Sequence, residues 1–316
     1  MPVIFATAPG KAILFGEHAV VYHRPAIAVP VMQVRAKAAV SPLPQSAYSQ
    51  IQIQAPEINL EADLADLPLD DPLAMAVRGT LDVLKISIPP AFSLRITSTI
   101  PIAAGLGSGA AVSVAIIRAV SAFFGTPLEN TRVNELAYRV ECRHHGTPSG
   151  IDNTVITYAQ PLYFVRGQPM EMLPVGSPFT LIIGDTGVSS LTAAVVKAVH
   201  ERRDREPEIV DAYFDRIADI TNRARSIITS GDPQELGPLM NENHNRLREL
   251  GVSSSELDHL VEAALNAGAL GAKLSGAGRG GNMIALAAPE NAPAVVRALG
   301  QAGATRAIVT HIEATT

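Results

Sequence analysis

The sequence predicts an α+β protein of two domains, and three observations carry that prediction. Its 316 residues exceed the usual span of one domain. The texture changes near the middle, from short β-rich runs mixed with helical patterns to a nearly unbroken series of helices. At the change lies MLPVGSPF, residues 172–179, with two prolines and a glycine. The expected domains are therefore 1–175 and 176–316.

Each element follows from its own pattern. In the first half VIFATA, AIAVPVMQVRAKAAV, QIQIQA, AFSLRITSTI and NTVITYAQPLYFV read as strands, being rich in β-branched and aromatic residues. AAVSVAIIRAVSAFF has the small, apolar texture of a buried helix. A second helix shows the apolar face Val133, Leu136, Ala137 and Val140, and Gly146 and Pro148 stop it. In the second half FTLIIGD reads as a strand, followed by helices in SSLTAAVVKAVHERR, EIVDAYFDRIADITNRARSIITSG, PQELGPLMNENHNRLREL and SSELDHLVEAALNAG. Ser255 and Gly268 bracket the last of these. Two strands around the glycines of AKLSGAGRGGNMIALA, a helix over 290–302 and a strand in ATRAIVTHIEA complete the chain. Strand, helices, two strands, helix, strand is the order of a ferredoxin-like α/β domain with added helices.

Composition narrows the partners. With 47% hydrophobic and 17% charged residues the chain can bury a large core, and a net charge of −5 offers no basic field to nucleic acid or an anionic membrane. The single cysteine, Cys142, permits neither an intrachain disulfide nor a thiolate cluster. No signal-peptide pattern opens the sequence, and no stretch approaches the ~20 apolar residues of a membrane span. A cytoplasmic protein is expected; monomer and homodimer both remain open.

Four stretches carry chemistry. In IPIAAGLGSGAAVSVAIIRAV, residues 100–120, Gly105, Gly107 and Gly109 lead into the buried helix. A helix N-terminus leaves up to four N–H groups without partners and carries about half a positive charge, so glycines there let amides converge on a phosphate. The Ser108 hydroxyl can meet an oxygen or a cation. The plainer alternative is a tight turn packed with small residues. Gly105, Gly107 and Ala110 also fit GxGxxA, as Gly276, Gly278 and Gly281 fit GxGxxG, but neither match has the βαβ setting of a dinucleotide-binding oxidoreductase. APGKAILFGEHAVVY places Lys11, Glu17 and His18 in an apolar run, where the lysine is either a snorkelling surface side chain or a functional cation. VECRHHGTPSGIDN holds Glu141, which could pair with His145 one turn on, and Asp152, which could be a turn residue. KLSGAGRGGN has more glycine than a hairpin needs, which suits close approach of a ligand.

Together, in this order, PGKAILFGEHAVVY, PIAAGLGSGAA and KLSGAGRGGN resemble the three motifs of the GHMP small-molecule kinases, the superfamily of galactokinase, homoserine kinase, mevalonate kinase and phosphomevalonate kinase. GEHAVVY and HGTPSGIDN are similar to the members acting on mevalonate. The resemblance implies the two-domain GHMP kinase fold: an N-terminal ribosomal protein S5 domain 2-like domain and a C-terminal ferredoxin-like domain. It implies ATP-dependent phosphorylation of the 5-hydroxyl of (R)-mevalonate in isoprenoid biosynthesis, with Mg²⁺. The alternatives in the same pathway are a phosphomevalonate kinase and a kinase for the 3-hydroxyl; these would call on cations such as Arg24, Lys197 and Arg279.

Carried over residue by residue, the resemblance makes Asp152 the catalytic base and Lys11 the lysine beside it and the transferring phosphoryl group. Ala104, Gly105, Leu106, Gly107, Ser108, Gly109 and Ala110 surround the phosphates. Ser108 and Glu141 match metal-binding groups. Lys11, Glu17, His18, Asp152 and Thr192 match residues around the acceptor, and His18 is a candidate anchor for its acid group. Two departures stand out: Gly109 where the family commonly has a second serine, and Arg279 inside the glycines of the third motif. For Arg279, either its position needs no glycine-type backbone angle, which is the favoured reading, or its guanidinium itself meets a phosphate.

Overall fold

The computed structural model describes residues 3–44, 49–101, 105–145, 148–190 and 192–315, apart from the side chains of His144 and His145. In chain order the regular elements are β1 (Ile4–Phe15), β2 (Pro25–Pro42), β3 (Ile51–Ala55), β4 (Leu60–Asp63), α1 (Pro72–Val83), β5 (Phe92–Ser98), α2 (Ser108–Phe123), α3 (Asn130–His145) and α4 (Ile151–Tyr158). Then follow β6 (Leu162–Val165), β7 (Glu171–Met172), β8 (Phe179–Asp185), α5 (Thr192–Arg205), α6 (Pro207–Ser230), α7 (Leu236–Glu249), α8 (Ser255–Asn266), β9 (Gly271–Ser275), β10 (Asn282–Ala287), α9 (Ala292–Gln301) and β11 (Arg306–Ile312).

The chain forms two compact units, cut differently from the contiguous halves that the texture suggests. Unit one is Met1–Lys11, Val34–Pro101 and Gly107–Ala159; unit two is Ala12–Gln33, Ile102–Leu106 and Gln160–Thr316. The change of composition near 175 marks where helices become dense, whereas packing assigns two N-terminal excursions to the second unit.

In unit one, strands run in the order β4-β3-β5-β2, with β3 and β5 parallel and the other two pairs antiparallel. Helix α2 explains its own place in this unit: Ala110, Ala111, Val114, Ala115, Ile116, Ile117, Ala119 and Val120 are all buried, so it has no polar face to give to water. It packs among α1, α3 and α4. The expected strand NTVITYAQPLYFV is a strand only in its second half: LYFV forms β6, whereas NTVITY lies in α4. Its β-branched run reads as a strand locally, but Ile151, Asn153, Thr154, Val155, Ile156 and Thr157 are buried, and packing against α2 and α3 overrides propensity.

Unit two holds a four-stranded antiparallel sheet in the order β11-β8-β10-β9, the ferredoxin-like arrangement expected from its element order. Helix α8 begins at the expected Ser255, although the residue that caps it is Ser254, whose hydroxyl accepts from the Leu257 amide. The core joins Phe214 and Ile217 of α6, Leu257 and Leu260 of α8, and Val295 and Leu299 of α9 to the sheet residues Ile182, Leu274 and Met283. Among the described residues no helix is long and apolar enough to cross a membrane.

Candidate active site

The amide-rich mouth of α2 comes first. Gly107 is its N-cap, in the left-handed region at φ 73°, and among the described residues no side chain caps the helix there. The first amides are therefore open to an exogenous anion. A Cβ at Gly107 would sit 2.8 Å from Ile156 Cδ1 and 3.0 Å from Lys11 Cγ, so glycine is needed for conformation and for space. That crowding also locates Lys11, whose stem runs directly against the mouth. Lys11 is buried rather than snorkelling, and its ammonium lies 3.1 Å from Asp152 Oδ1. Asp152 sits in the first turn of α4, where the helix dipole favours a carboxylate. Its side chain is 36% exposed, so solvent and ligands can reach it.

Glu141 arrives from α3 and is buried. Its Oε1 lies 3.4 Å from the point a Gly109 Cβ would occupy, which puts the carboxylate beside the first turn of α2. A serine at position 109 would thus meet no hard overlap, and Gly109 is a chemical departure rather than a steric necessity. Thus Gly107, Ser108, Lys11, Glu141 and Asp152 gather within unit one. Ala104 lies outside the described residues, as does the His145 side chain once considered as a partner for Glu141.

Sequence reasoning passed over the clasps that hold these helices together. Arg118 of α2 donates to the Thr157 carbonyl of α4 at 2.5 Å and to Asn130 Oδ1 at the start of α3 at 2.9 Å. Asn153 Nδ2 donates to Asn134 Oδ1 of α3 at 2.6 Å. The signal was faint: a single arginine in an otherwise apolar helix.

The first and third motifs meet inside unit two. Glu17 is buried; its Oε1 pairs with the Lys273 ammonium and its Oε2 accepts from Asn243 Nδ2 at 3.2 Å. His18 Nε2 lies 2.8 Å from the Ala277 carbonyl oxygen, so that nitrogen donates and Nδ1 is left as an acceptor. Burial, reinforced by the charge of Arg279, pushes the His18 pKa down to about 4. A neutral imidazole accepts more readily from a hydroxyl donor than it pairs with a carboxylate. Thr192 is exposed at the start of α5, with its amide on the Ser190 carbonyl, and Ser190 Oγ donates to the Gly278 carbonyl of the third motif.

Arg279 overturns the reading that its position needs no glycine-type angle, because its φ is 53°. Its guanidinium bonds the Gly251 carbonyl through Nε and Nη2, both at 3.3 Å, and its amide donates to Val252. These bonds hold a conformation that glycine would adopt without strain.

Two buried histidines set an acid limit. His244 is likewise pushed down to about 4, mainly by burial, although Asp258 at 3.2 Å opposes the shift. Both histidines bind a proton in the unfolded chain below about pH 6.5 and resist it in the folded one down to about 4. Stability should therefore fall as pH drops from 6.5 toward 4, and urea midpoints measured across that window should fall less steeply in a His244→Gln variant.

Comparison with known proteins identifies the family. Residues 74–160 match the family of the GHMP kinases N terminal domain, and 224–305 match GHMP kinases C terminal. A mevalonate kinase of Thermococcus sibiricus is 38% identical over 314 residues, covering 95% of this chain and 93% of the relative. The solved mevalonate kinase of Methanococcus jannaschii has a TM-score of 0.84 at 27% identity, covering 100% of this chain and 99% of its own. That of L. major, solved in complex with R-mevalonate, has a TM-score of 0.82 at 30% identity, covering 99% and 96%. Matches to both halves of the family, and full-length similarity to its members, leave no room for the dinucleotide-binding alternative: the chain belongs to the GHMP kinases.

Proposed function

We propose that this kinase transfers the γ-phosphoryl group of ATP to the 5-hydroxyl of (R)-mevalonate. The observation that carries the reading is the Lys11–Asp152 pair against the mouth of α2. Phosphoryl transfer asks a protein mainly to position its reactants and neutralise charge. The open amides of α2 receive phosphate oxygens, and Lys11 adds a fixed cation. As the acceptor oxygen bonds to phosphorus, the bond from phosphorus to the ADP oxygen breaks and the hydroxyl proton passes to Asp152. Ser108 and Glu141 offer the oxygen donors that Mg²⁺ takes alongside phosphate, and they would hold it at the helix mouth. When bound, the ion supplies further neutralisation of the phosphate oxygens. His18 Nδ1 accepts a hydrogen bond from a hydroxyl of the acceptor.

The choice of mevalonate over its phosphate is supported by the engagements of the candidate cations. Arg24 is spent on Asp215 and the Tyr22 carbonyl, and Arg279 on Gly251. Lys197 faces Glu201 at the surface. A coupled assay of ADP release over mevalonate, mevalonate 5-phosphate, homoserine and galactose tests the reading. Mevalonate is expected to give the highest kcat/KM, with the product phosphorylated at the 5-oxygen by phosphorus NMR. A preference for the 5-phosphate or a product phosphorylated at the 3-oxygen would replace it.

A further inference from the structure

Lys273 is a cation with no place in the reaction above, yet it is 0% exposed, which is rare for lysine. It lies in β9, where its ammonium meets Glu17 and also donates to the Leu274 carbonyl at 2.6 Å. Burial lowers its pKa, while the Glu17 charge works to keep it protonated. Both oxygens of Glu17 are thereby used within the protein, one by Lys273 and one by Asn243, itself 0% exposed on α7. Glu17 therefore has little left to offer a substrate, although the resemblance groups it with the acceptor-binding residues.

The next residue gives the pair a purpose. His18 stands at φ 60°, ψ −47°, a conformation that a non-glycine residue keeps only when its surroundings enforce it. It is held from both sides: Glu17 is anchored to β9 through Lys273, and the imidazole is anchored to Ala277 in the turn between β9 and β10. Ser275 Oγ, donating to the Ile13 carbonyl at 2.8 Å, ties the same strand to β1 just upstream.

We infer that Lys273 is a positioning residue for the alcohol acceptor, acting through Glu17 to hold the strained His18 turn so that the imidazole Nδ1 faces an acceptor hydroxyl. The inference deepens the proposed function and rests on its assignment of His18 to the acceptor. It separates two features that the sequence places together: His18 meets the ligand, whereas Glu17 is its anchor.

The test uses the full chain. Lys273→Met alone strands a buried carboxylate and can unfold the protein, so the decisive variant is Glu17→Gln with Lys273→Met, which removes both charges at similar volume. Its urea midpoint is expected near that of the wild type. Its KM for mevalonate should rise about tenfold or more while KM for ATP stays within about twofold, since the lost geometry concerns only the acceptor. The same pair of changes is then made in a His18→Leu background. If Lys273 acts through His18, the effect on acceptor KM largely disappears there, whereas additive effects overturn the inference. An unchanged acceptor KM in the folded double variant overturns it too, as does a proportional loss in every kinetic constant. Should wild-type enzyme prefer another alcohol in the panel, the mevalonate reading fails, and the same cycle measured on that alcohol still decides the role of Lys273.

Discussion

Asp152→Asn should lower kcat by about three orders of magnitude, within the range set by loss of a general base. The amide keeps the size of the carboxylate, and its carbonyl can still accept from Lys11 across the 3.1 Å gap, so the pair geometry survives. What disappears is the ability to take the hydroxyl proton. Folding loses the favourable charge in the first turn of α4, about 0.3–1 kcal/mol, and also the counter-charge of the buried Lys11 ammonium, so a lowered urea midpoint is expected alongside the loss of turnover. Nucleotide affinity, measured by calorimetry with a nonhydrolysable ATP analogue, is expected to stay within a few-fold of wild type. A variant with near-normal turnover would exclude Asp152 as the base.

Gly278→Ala should lower stability strongly. Its φ is 81°, a region that disfavours any residue with a Cβ, and the added carbon would lie 1.9 Å from the Val252 carbonyl oxygen. That atom is backbone and is already the acceptor for the Arg279 amide, so relief requires moving a loop and weakening a hydrogen bond. Left-handed strain and overpacking together amount to roughly 3 kcal/mol. A clear drop in the urea midpoint is the expected readout. An unchanged midpoint would mean that the loop after α7 yields freely.

These expectations show which parts of the molecule can be read from residues alone. The glycine-rich entry to a buried helix was legible because Gly105, Gly107 and Ser108 directly precede the apolar run of α2. The ferredoxin-like order of unit two was legible because its strands are short apolar runs, as in the continuously buried β8, and its long helices are amphipathic with a clean period, as in α6. Helix α4 was not, because Thr154, Val155, Ile156 and Thr157 carry strand propensity that only burial between other helices can override. The unit boundaries were not, because Ala12–Gln33 joins partners more than a hundred residues away. Lys273 was visible as a letter in the third motif, but its burial depends on Glu17, and no local pattern announces a pairing of that range. Arg279 was misread because side-chain identity says little about φ when two hydrogen bonds to Gly251 hold the residue in place.

The Glu17–Lys273 pair also dictates when the molecule can be finished. The two residues are 256 positions apart, so during synthesis Glu17 leaves the ribosome on the order of ten to fifty seconds before its partner exists. Through that interval the carboxylate remains in water, and the turn carrying His18 lacks the cation that fixes it. A ribosome stalled anywhere before β9 therefore carries a chain whose His18 turn lacks both of its anchors on β9 and the turn beyond it, however well Lys11, Glu141 and Asp152 have already assembled upstream.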